Sequence, residues 1–231
     1  MYEMYANLQE FRFDPLSRPK VVIIDYGLGN LLSVQRAVHE CGAEVITSSE
    51  PDVIARADRA ILPGVGAFAN GMKALESIGL VKVIKAIAAD GIPLLGICLG
   101  MQLLFDESEE YGVTKGLGII AGRVVPVPDV SPDGLPLKIP HIGWNSLIVA
   151  DGTAWKRTIL QSLTSSDAVY FVHSFMAEPE DPAVRIADCW YGGNRIAAVV
   201  GHRNVFGCQF HPEKSGRIGL RMIKGLIDVP T

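Results

Sequence analysis

The sequence lacks any block of lysine or arginine residues and carries a formal net charge of -4. A protein that binds the phosphate backbone of a nucleic acid needs a concentrated positive surface, so we expect no nucleic-acid partner. Long apolar runs are also missing. The longest, around residues 94–105, is shorter than the roughly 20 residues that span a bilayer and contains glycines. We therefore expect no contact with a membrane.

Paired cysteine motifs are absent as well. The four cysteines, at positions 41, 98, 189 and 208, show neither CxxC spacing nor the rhythm of a metal site. Such usage is typical of a reduced intracellular protein, and we expect neither a metal nor a cofactor. Residues 1–20 lack the basic start and apolar core of a secretory signal, which favours a cytoplasmic location.

Strands and helices alternate through the first half of the chain, beginning with the β-branched run Val21–Asp25. Strands are also predicted at 44–47, 60–62 and up to Gly96, with helices at 31–40, 52–57, 67–76 and 81–89. At 231 residues and 48% hydrophobic content the chain can bury the core of one domain. We predict the α/β class, with a doubly wound, mostly parallel central sheet flanked by helices, over residues 21–231. Residues 1–20 would be an N-terminal extension.

The C-terminal half is predicted to add antiparallel strands to this sheet. The predicted strands are 117–127, 146–149, 168–173, 184–191, 195–200 and 205–210, before a final helix at 217–227. Gly192-Gly193 is typical of a hairpin turn between two of them. Asp106–Glu110 is predicted to be a solvated acidic loop, and Pro140–Asn145 a connecting motif with Trp144 in a turn.

A single cysteine lies at the predicted corner between a strand and a helix, in Gly96-Ile97-Cys98-Leu99-Gly100. Gly-x-Cys-x-Gly, followed by a predicted helix over 99–105, is the thiol form of the nucleophile elbow, whose tight turn favours glycine at both flanks. A helix N-terminus favours thiolate over thiol, and its free amides can bind an oxyanion. The alternative is a small buried cysteine of an α/β core.

A cysteine nucleophile needs an imidazole to take its proton and a third group to orient the ring. His211 ends a predicted strand and Glu213 follows two residues later, so a continuing strand would place both side chains on one side. His39 and His202 fit the surface better. The alternative is that His211 and Glu213 lie in an exposed loop and do not act together. Together with the elbow, the sequence favours a Cys98–His211–Glu213 triad.

These motifs resemble those of the class I (triad) glutamine amidotransferases. The residues that carry this resemblance are Gly96-Ile97-Cys98-Leu99-Gly100-Met101-Gln102 and His211-Pro212-Glu213. Further stretches are similar to the glutaminase subunits of imidazole glycerol phosphate synthase. They are Asp25–Leu31, Leu62–Phe68, Pro140–Asn145, Tyr170–Phe175 and Gln209–Gly216. The resemblance extends from about Val21 to the C-terminus.

The resemblance implies a reaction and a set of residues. Cys98 would attack the side-chain amide of L-glutamine and form a thioester, while His211, oriented by Glu213, would protonate the leaving ammonia and then activate water. The backbone amides of Val65 and Leu99 would form the oxyanion hole. The implied substrate-binding residues are Gly64, Gly66, Gln102, His173, Ser174 and Phe175.

The resemblance also implies a partner. This would be a cyclase subunit with a (βα)8-barrel fold, joined in a heterodimer, that receives ammonia through a channel and makes imidazole glycerol phosphate in histidine biosynthesis. Asn30, Trp144 and Lys214 would face it. An exposed tryptophan is a common interface anchor, although Trp144 could instead fold onto its own sheet.

Four other interpretations remain open at this stage. A paralogous glutaminase that feeds another acceptor, such as a surface-polysaccharide sugar, would keep the same elbow and triad. A non-catalytic binding module could share the fold, and a stand-alone thiol hydrolase could share the triad. Gly27 and Gly29 suggest a nucleotide loop, but Leu32 replaces the third glycine of that fingerprint.

Overall fold

The computed structural model describes residues 18–150 and 155–230, so residues 1–17 of the predicted extension lie outside the described chain. In chain order the strands are β1 (Lys20–Ile24), β2 (Glu44–Ser48), β3 (Arg59–Gly64), β4 (Leu94–Cys98), β5 (Phe105–Ser108), β6 (Thr114–Lys115), β7 (Ile120–Pro126), β8 (His141–Ser146), β9 (Ile148–Val149), β10 (Ala168–His173), β11 (Phe175–Pro179), β12 (Arg185–Tyr191), β13 (Asn194–His202) and β14 (Val205–Cys208). The helices are α1 (Leu31–Glu40), α2 (Pro51–Ile54), α3 (Phe68–Ser77), α4 (Leu80–Ala89), α5 (Leu99–Leu103) and α6 (Gly216–Asp228). Single 3-10 turns cover Pro182–Val184 and Pro212–Lys214.

The central sheet is mostly parallel in its first half, as predicted. Its strand order is β2-β1-β3-β4-β14-β13-β12-β9. The strands from β2 to β14 in this order run parallel, and the pairs from β14 to β9 are antiparallel. Two smaller sheets, β10-β8 and β11-β7-β5-β6, complete the C-terminal half. The predicted antiparallel additions are therefore confirmed.

Helices cover both faces of the central sheet. In β1, Val21 and Ile23 join the core under α1 and α6, whereas Val22 and Ile24 join the core under α3 and α4. Successive side chains of a strand point to opposite faces. A strand with a core on each side must be apolar at every position, which explains its unbroken β-branched run.

The predicted helix over 99–105 and the predicted acidic loop after it were partly wrong. The helix α5 ends at Leu103, and the chain then forms β5. Strand β5 pairs with β7, and Phe105 and Ser108 at its two ends are fully buried. Burial and pairing of these end residues outweigh the low strand propensity of the acidic residues between them.

The prediction of a turn around Trp144 was also wrong. Pro140 is followed directly by β8, which pairs antiparallel with β10 so that Trp144 lies opposite Tyr170. Residues of β8 alternate in burial, from buried His141 to exposed Ile142. The glycine and asparagine beside Trp144 resemble a turn in sequence, but pairing with a neighbouring strand decides the conformation.

The corner between β4 and α5 is held by contacts between backbones. A Cβ atom on Gly96 would lie 2.6 Å from the carbonyl oxygen of Gly100, and a Cβ atom on Gly100 would lie 1.8 Å from the carbonyl oxygen of Leu62 in β3. Cys98 itself has φ of 52° and ψ of -109°, a conformation that is costly for a residue with a side chain. The predicted elbow is confirmed, and glycine is required on both sides of it.

Two buried histidines join β8 to the end of β10. His173 Nδ1–H donates to the carbonyl oxygen of Phe175 over 2.8 Å, and His141 Nδ1–H donates to His173 Nε2 over 2.9 Å. The direction is fixed because a carbonyl oxygen only accepts. Burial lowers the pKa of His141 to about 4 and that of His173 to about 3. Both rings are therefore neutral at pH 7.

We predict that Gly100→Ala destabilises the protein by more than about 3 kcal/mol or prevents folding, because the added methyl group collides with backbone that cannot move away. Chemical denaturation followed by circular dichroism measures the change. Gly71→Ala in α3 is the matched control, since its Cβ would meet only leucine side chains at 3.2–3.3 Å. Equal stability of Gly100→Ala and the wild type would contradict the backbone contact.

We predict that the neutral histidine pair makes the fold sensitive to acid. Between about pH 6.5 and 4 the unfolded chain takes up a proton at His141 that the folded chain does not, so the free energy of unfolding falls as the pH falls. In His141→Phe this slope is smaller, by up to about 1.4 kcal/mol per pH unit. Denaturation curves across this range measure it, with His202→Gln at an exposed ring as control. Identical slopes in His141→Phe and the wild type would be inconsistent with a neutral buried ring.

Candidate active site

The carboxyl ends of β3 and β4 lead into a cavity of about 330 Å³. Parallel sheets bind ligands at this edge, and small-molecule sites typically have volumes of roughly 300–1,000 Å³. The predicted site residues that line the cavity are Val65, Gly66, Cys98, Leu99, Gln102, His173, Ser174, Phe175, His211 and Lys214. A larger cavity of about 960 Å³ lies beside α1 and β2. Its described walls contain none of these residues, so we assign the site to the smaller cavity.

The structure brings the three predicted triad residues together. His211 and Cys98 line the same cavity, and His211 Nδ1–H donates to Glu213 Oε1 over 2.8 Å. All three side chains are almost completely shielded from solvent. The strand does not continue past His211, because Pro212–Lys214 forms a 3-10 turn. The turn, and not strand spacing, places the carboxylate beside the ring.

His211 differs electrostatically from the other buried histidines. Burial lowers the pKa of His211, but hydrogen bonds and negative charge from Cys98 and Glu213 raise it more, to about 9. The ring is therefore an imidazolium at neutral pH, paired with the cysteine sulfur on one side and a carboxylate on the other. Such a ring holds a proton ready for transfer to a leaving group.

One predicted oxyanion donor lies at the start of a helix, and the other lies in an exposed segment after a strand. Leu99 is the first residue of α5, where a helix leaves its backbone N–H groups free. Val65 follows β3, has a 41% exposed side chain and precedes Gly66 with φ of 102°. Gly64 does not line the cavity: a Cβ atom there would lie 2.4 Å from Tyr26 Oη and 3.0 Å from Gly100 N, so Gly64 packs against the elbow.

Gln102 lies on α5, one turn after Cys98, with its carboxamide toward the cavity. Its Nε2 group donates to the carbonyl oxygen of Phe175 and to Gln209 Oε1, each over 3.1 Å. Both hydrogens of the amide nitrogen are therefore committed to protein acceptors. The oxygen of the Gln102 carboxamide is left as the group that can accept a hydrogen bond from a ligand.

Sequence reasoning missed Gln209 as a site residue. The side chain is completely buried, and its Nε2 group donates to Cys98 Sγ over 3.7 Å. The signal was present in the sequence. Gln209 is the one polar residue in the apolar run from Val205 to Phe210, and a polar side chain inside such a run requires partners when it is buried.

Sequence reasoning also missed Glu110, because the sequence predicts a solvated acidic loop at this position. Its side chain lines the cavity together with Gln102, and its Oε2 accepts a hydrogen bond of 2.6 Å from the backbone N–H of Phe68 at the start of α3. A helix N-terminus stabilises a carboxylate. The site therefore contains a carboxyl group that a helix N-terminus holds in place, and composition alone made this residue look like part of an ordinary acidic surface.

The three residues predicted to face a partner are at the surface or beside the cavity. Trp144 is 60% exposed, and its ring lies edge-on to Tyr170 with centroids 6.1 Å apart. The ring of Trp144 therefore contacts the neighbouring strand of its own sheet but keeps most of its surface exposed to solvent. Asn30 is an exposed residue directly before α1, and Lys214 lines the cavity mouth.

The other cysteines, and the histidines His39 and His202, do not line the cavity. Burial raises the pKa of Cys189 and of Cys208, so both stay thiols at neutral pH. His39 and His202 are exposed. In the described ranges, no cluster of three or more His, Cys, Asp or Glu side chains could hold a metal ion. No helix among the described residues has the length and hydrophobicity to span a membrane.

Comparison with known proteins gives sequence relatives over most of the chain. Residues 22–225 match the profile of the family described as glutamine amidotransferase class-I. The chain is 51% identical over 210 residues to imidazole glycerol phosphate synthase subunit HisH 1 of Legionella pneumophila (strain Lens), covering 90% of this chain and 99% of that protein. It is 46% identical over 207 residues to subunit HisH of Geobacillus sp. (strain WCH70), covering 90% and 95%.

Solved structures share the fold at lower identity. A structure described as a glutamine amidotransferase matches with a TM-score of 0.67 and 19% identity over 90% of this chain and 99% of that chain. PurLQS from Thermotoga maritima matches with a TM-score of 0.65 and 19% identity over 91% and 98%. On the family match and the identity to the curated relatives, the chain belongs to the class-I glutamine amidotransferases and, within them, to the HisH subunits of imidazole glycerol phosphate synthase.

Proposed function

We propose that this chain hydrolyses L-glutamine at the Cys98 cavity and supplies the ammonia to a cyclase subunit in histidine biosynthesis. The observation that carries the proposal is the buried contact of Cys98 with an imidazolium that Glu213 orients, in a chain about half identical to HisH subunits. A structural cysteine has no need of such a ring. A binding module without catalysis would not need the raised pKa of His211 either.

The first half of the reaction forms a thioester. The Cys98 thiolate attacks the side-chain carbonyl carbon of glutamine, and the carbonyl oxygen becomes an oxyanion. The backbone N–H groups of Leu99 and Val65 donate to it, and one such donor is typically worth about 3 kcal/mol in the transition state. The C–N bond then breaks as His211 gives its proton to the leaving nitrogen, which releases ammonia.

The second half of the reaction releases glutamate. The neutral His211 ring takes a proton from water, and the resulting hydroxide adds to the thioester carbonyl. The C–S bond breaks and the thiolate of Cys98 returns, paired again with an imidazolium. Glu213 keeps the ring in the tautomer that directs Nε2 at the sulfur in both halves.

The polar groups of the cavity fit the amino-acid end of glutamine. The carboxylate of Glu110 can pair with the α-ammonium group, and the free carboxamide oxygen of Gln102 can accept a further hydrogen bond. Ser174, Phe175 and Gly66, which also line the cavity, would hold the remaining backbone atoms of the substrate. His173 is neutral and bonded to protein on both nitrogens, so its role is to support this segment.

The names of the relatives imply a cyclase partner. We propose that this partner is a (βα)8 barrel that forms a heterodimer with the chain and conducts ammonia through its interior. The exposed side chains of Ile142 and Trp144 on β8, with Asn30 and Lys214, would contact it, since exposed aromatic and apolar groups anchor interfaces. The HisH relatives favour an imidazole glycerol phosphate product over the alternative of a surface-polysaccharide sugar as acceptor.

The proposed catalytic domain begins near the start of β1, with residues 1–20 as an extension. Two observations support this division. The family match starts at residue 22, and an alignment that spans 99% of the Legionella relative accounts for 90% of this chain.

We predict that Cys98→Ala lowers glutamine-dependent product formation by at least about 10³-fold in the complex with the cyclase, because no other group can form the thioester. Free ammonium salts still support the cyclase reaction. Glutamate release and product formation are measured with each nitrogen source. Cys189→Ala, at a buried cysteine of β12, is the control that keeps both activities. Loss of both activities in Cys98→Ala would mean that this cysteine has only a structural role.

We predict that glutamine hydrolysis declines as the pH rises above about 9, because His211 then loses the proton that it gives to ammonia. In Glu213→Gln the decline begins at least about one pH unit lower, since a negative charge that raises the pKa of His211 is removed. The pH profile of kcat/KM for glutamate release measures this. Glu178→Gln, an exposed carboxylate paired with Arg123, is the control. An unshifted alkaline limb in Glu213→Gln would rule out this assignment of the proton donor.

A further inference from the structure

Gln209 is a carboxamide buried completely in the interior, next to the reacting sulfur. Its backbone N–H donates to the carbonyl oxygen of Ala198, which fixes the main chain between β14 and β13. A buried carboxamide without partners would destabilise the fold. The side chain has two partners here: Oε1 accepts from Gln102, and Nε2 donates to Cys98 Sγ over 3.7 Å.

The direction of these hydrogen bonds is fixed by a carbonyl group. The oxygen of Phe175 can only accept, and it receives both His173 Nδ1–H and Gln102 Nε2–H. The nitrogen end of Gln102 therefore faces Phe175 and also Gln209. The atom of Gln209 that meets this nitrogen must be its oxygen. Consequently the end of Gln209 that faces Cys98 is the NH₂ group.

We propose that Gln209 is a second hydrogen-bond donor to the Cys98 sulfur, which stabilises the thiolate and holds it in line with His211. This inference deepens the proposed function, on which its role in glutamine hydrolysis rests. The two donors act differently. His211 can give its proton away, whereas a carboxamide cannot, so Gln209 stabilises the anion without competing for the proton.

The consequence for the reaction follows from the charge on the sulfur. A hydrogen bond to an anion is stronger than one to a neutral acceptor. In the thioester the sulfur is neutral, so the bond from Gln209 weakens when Cys98 is acylated. It is restored when the thioester is hydrolysed and the thiolate leaves. Gln209 therefore favours thiolate as a leaving group as well as its formation before attack.

The test is the pH dependence of Cys98 alkylation by iodoacetamide in the full chain, followed by mass spectrometry of the peptide that contains Cys98. Gln209→Met has a side chain of similar length without a donor. We expect its alkylation profile to move to higher pH, with a rate at pH 7 about tenfold below that of the wild type. Alkylation of Cys98 does not require glutamine. A failure of the Gln209 proposal can therefore be distinguished from a failure of the proposed glutaminase activity.

Asn204→Met is the matched control. It removes a carboxamide at the other end of the same strand, where Nδ2 donates to Ala88 and Ile92 carbonyl oxygens. It is expected to lower stability and to leave the alkylation profile of Cys98 in place. An unchanged profile in folded Gln209→Met, or an equal shift in Asn204→Met, would overturn the inference.

A second variant covers the case in which Gln209→Met does not fold. Gln209→Asn keeps a carboxamide but is one methylene too short to reach both Gln102 and the sulfur. We expect a shift of the same sign and a smaller size. The double variant Gln102→Met/Gln209→Asn tests whether Gln102 acts on Cys98 only through Gln209. If it does, the alkylation profile of the double variant matches that of Gln209→Asn alone. An additive shift would contradict the proposed link through Gln102.

Discussion

The site depends on the close approach of α5 to the ends of β3 and β4. The carbonyl oxygen of Leu62 lies where a side chain on residue 100 would be, and the carbonyl oxygen of Gly100 lies where one on residue 96 would be. This contact forces Cys98 into a conformation with positive φ and puts its sulfur at the start of a helix. Because the contact is between backbones, it cannot relax by a change of rotamer. The position of the nucleophile is thereby a property of the fold.

The charge state of each ring in the site follows from what surrounds it. His141 and His173 are buried among carbonyl groups, aromatic rings and each other, and burial keeps them neutral. His211 is equally buried but lies between a sulfur and a carboxylate, and these raise its pKa. Neutral rings can fix the direction of a hydrogen-bond chain, whereas a charged ring can supply a proton. Both kinds of ring occur at the Cys98 cavity, because His173 and His211 line it.

Much of the fold could be predicted from the sequence, because parallel strands buried on two faces leave a strong apolar signal. The run at β1 and the helix α1 are examples, and the Cys98 elbow was evident from its glycines. The errors occurred where pairing between distant segments decides the structure. Strand β5 is acidic in its middle, and β8 contains Gly143, so neither shows the local pattern of a strand. Tertiary pairing overrides such weak local preferences.

The sequence predicts those site residues that belong to short motifs, such as Cys98 in the elbow and His211 with Glu213. The contact between His211 and Glu213 was expected for a reason that did not hold, since a 3-10 turn replaces the strand. Gln209 and Glu110 were missed because their roles come from neighbours far away in the chain. Hydrogen bonds across more than 40 residues leave no spacing rule in the sequence.

The exposed side chains of β8 are separate from the buried triad, and this separation has a consequence for how such a protein can diverge. Substitutions at Ile142 or Trp144 alter a solvent-facing surface and leave the packing of the elbow untouched. Substitutions at the elbow glycines disturb the fold itself. The surface proposed to contact the acceptor subunit can thus change without disturbing the residues that surround Cys98.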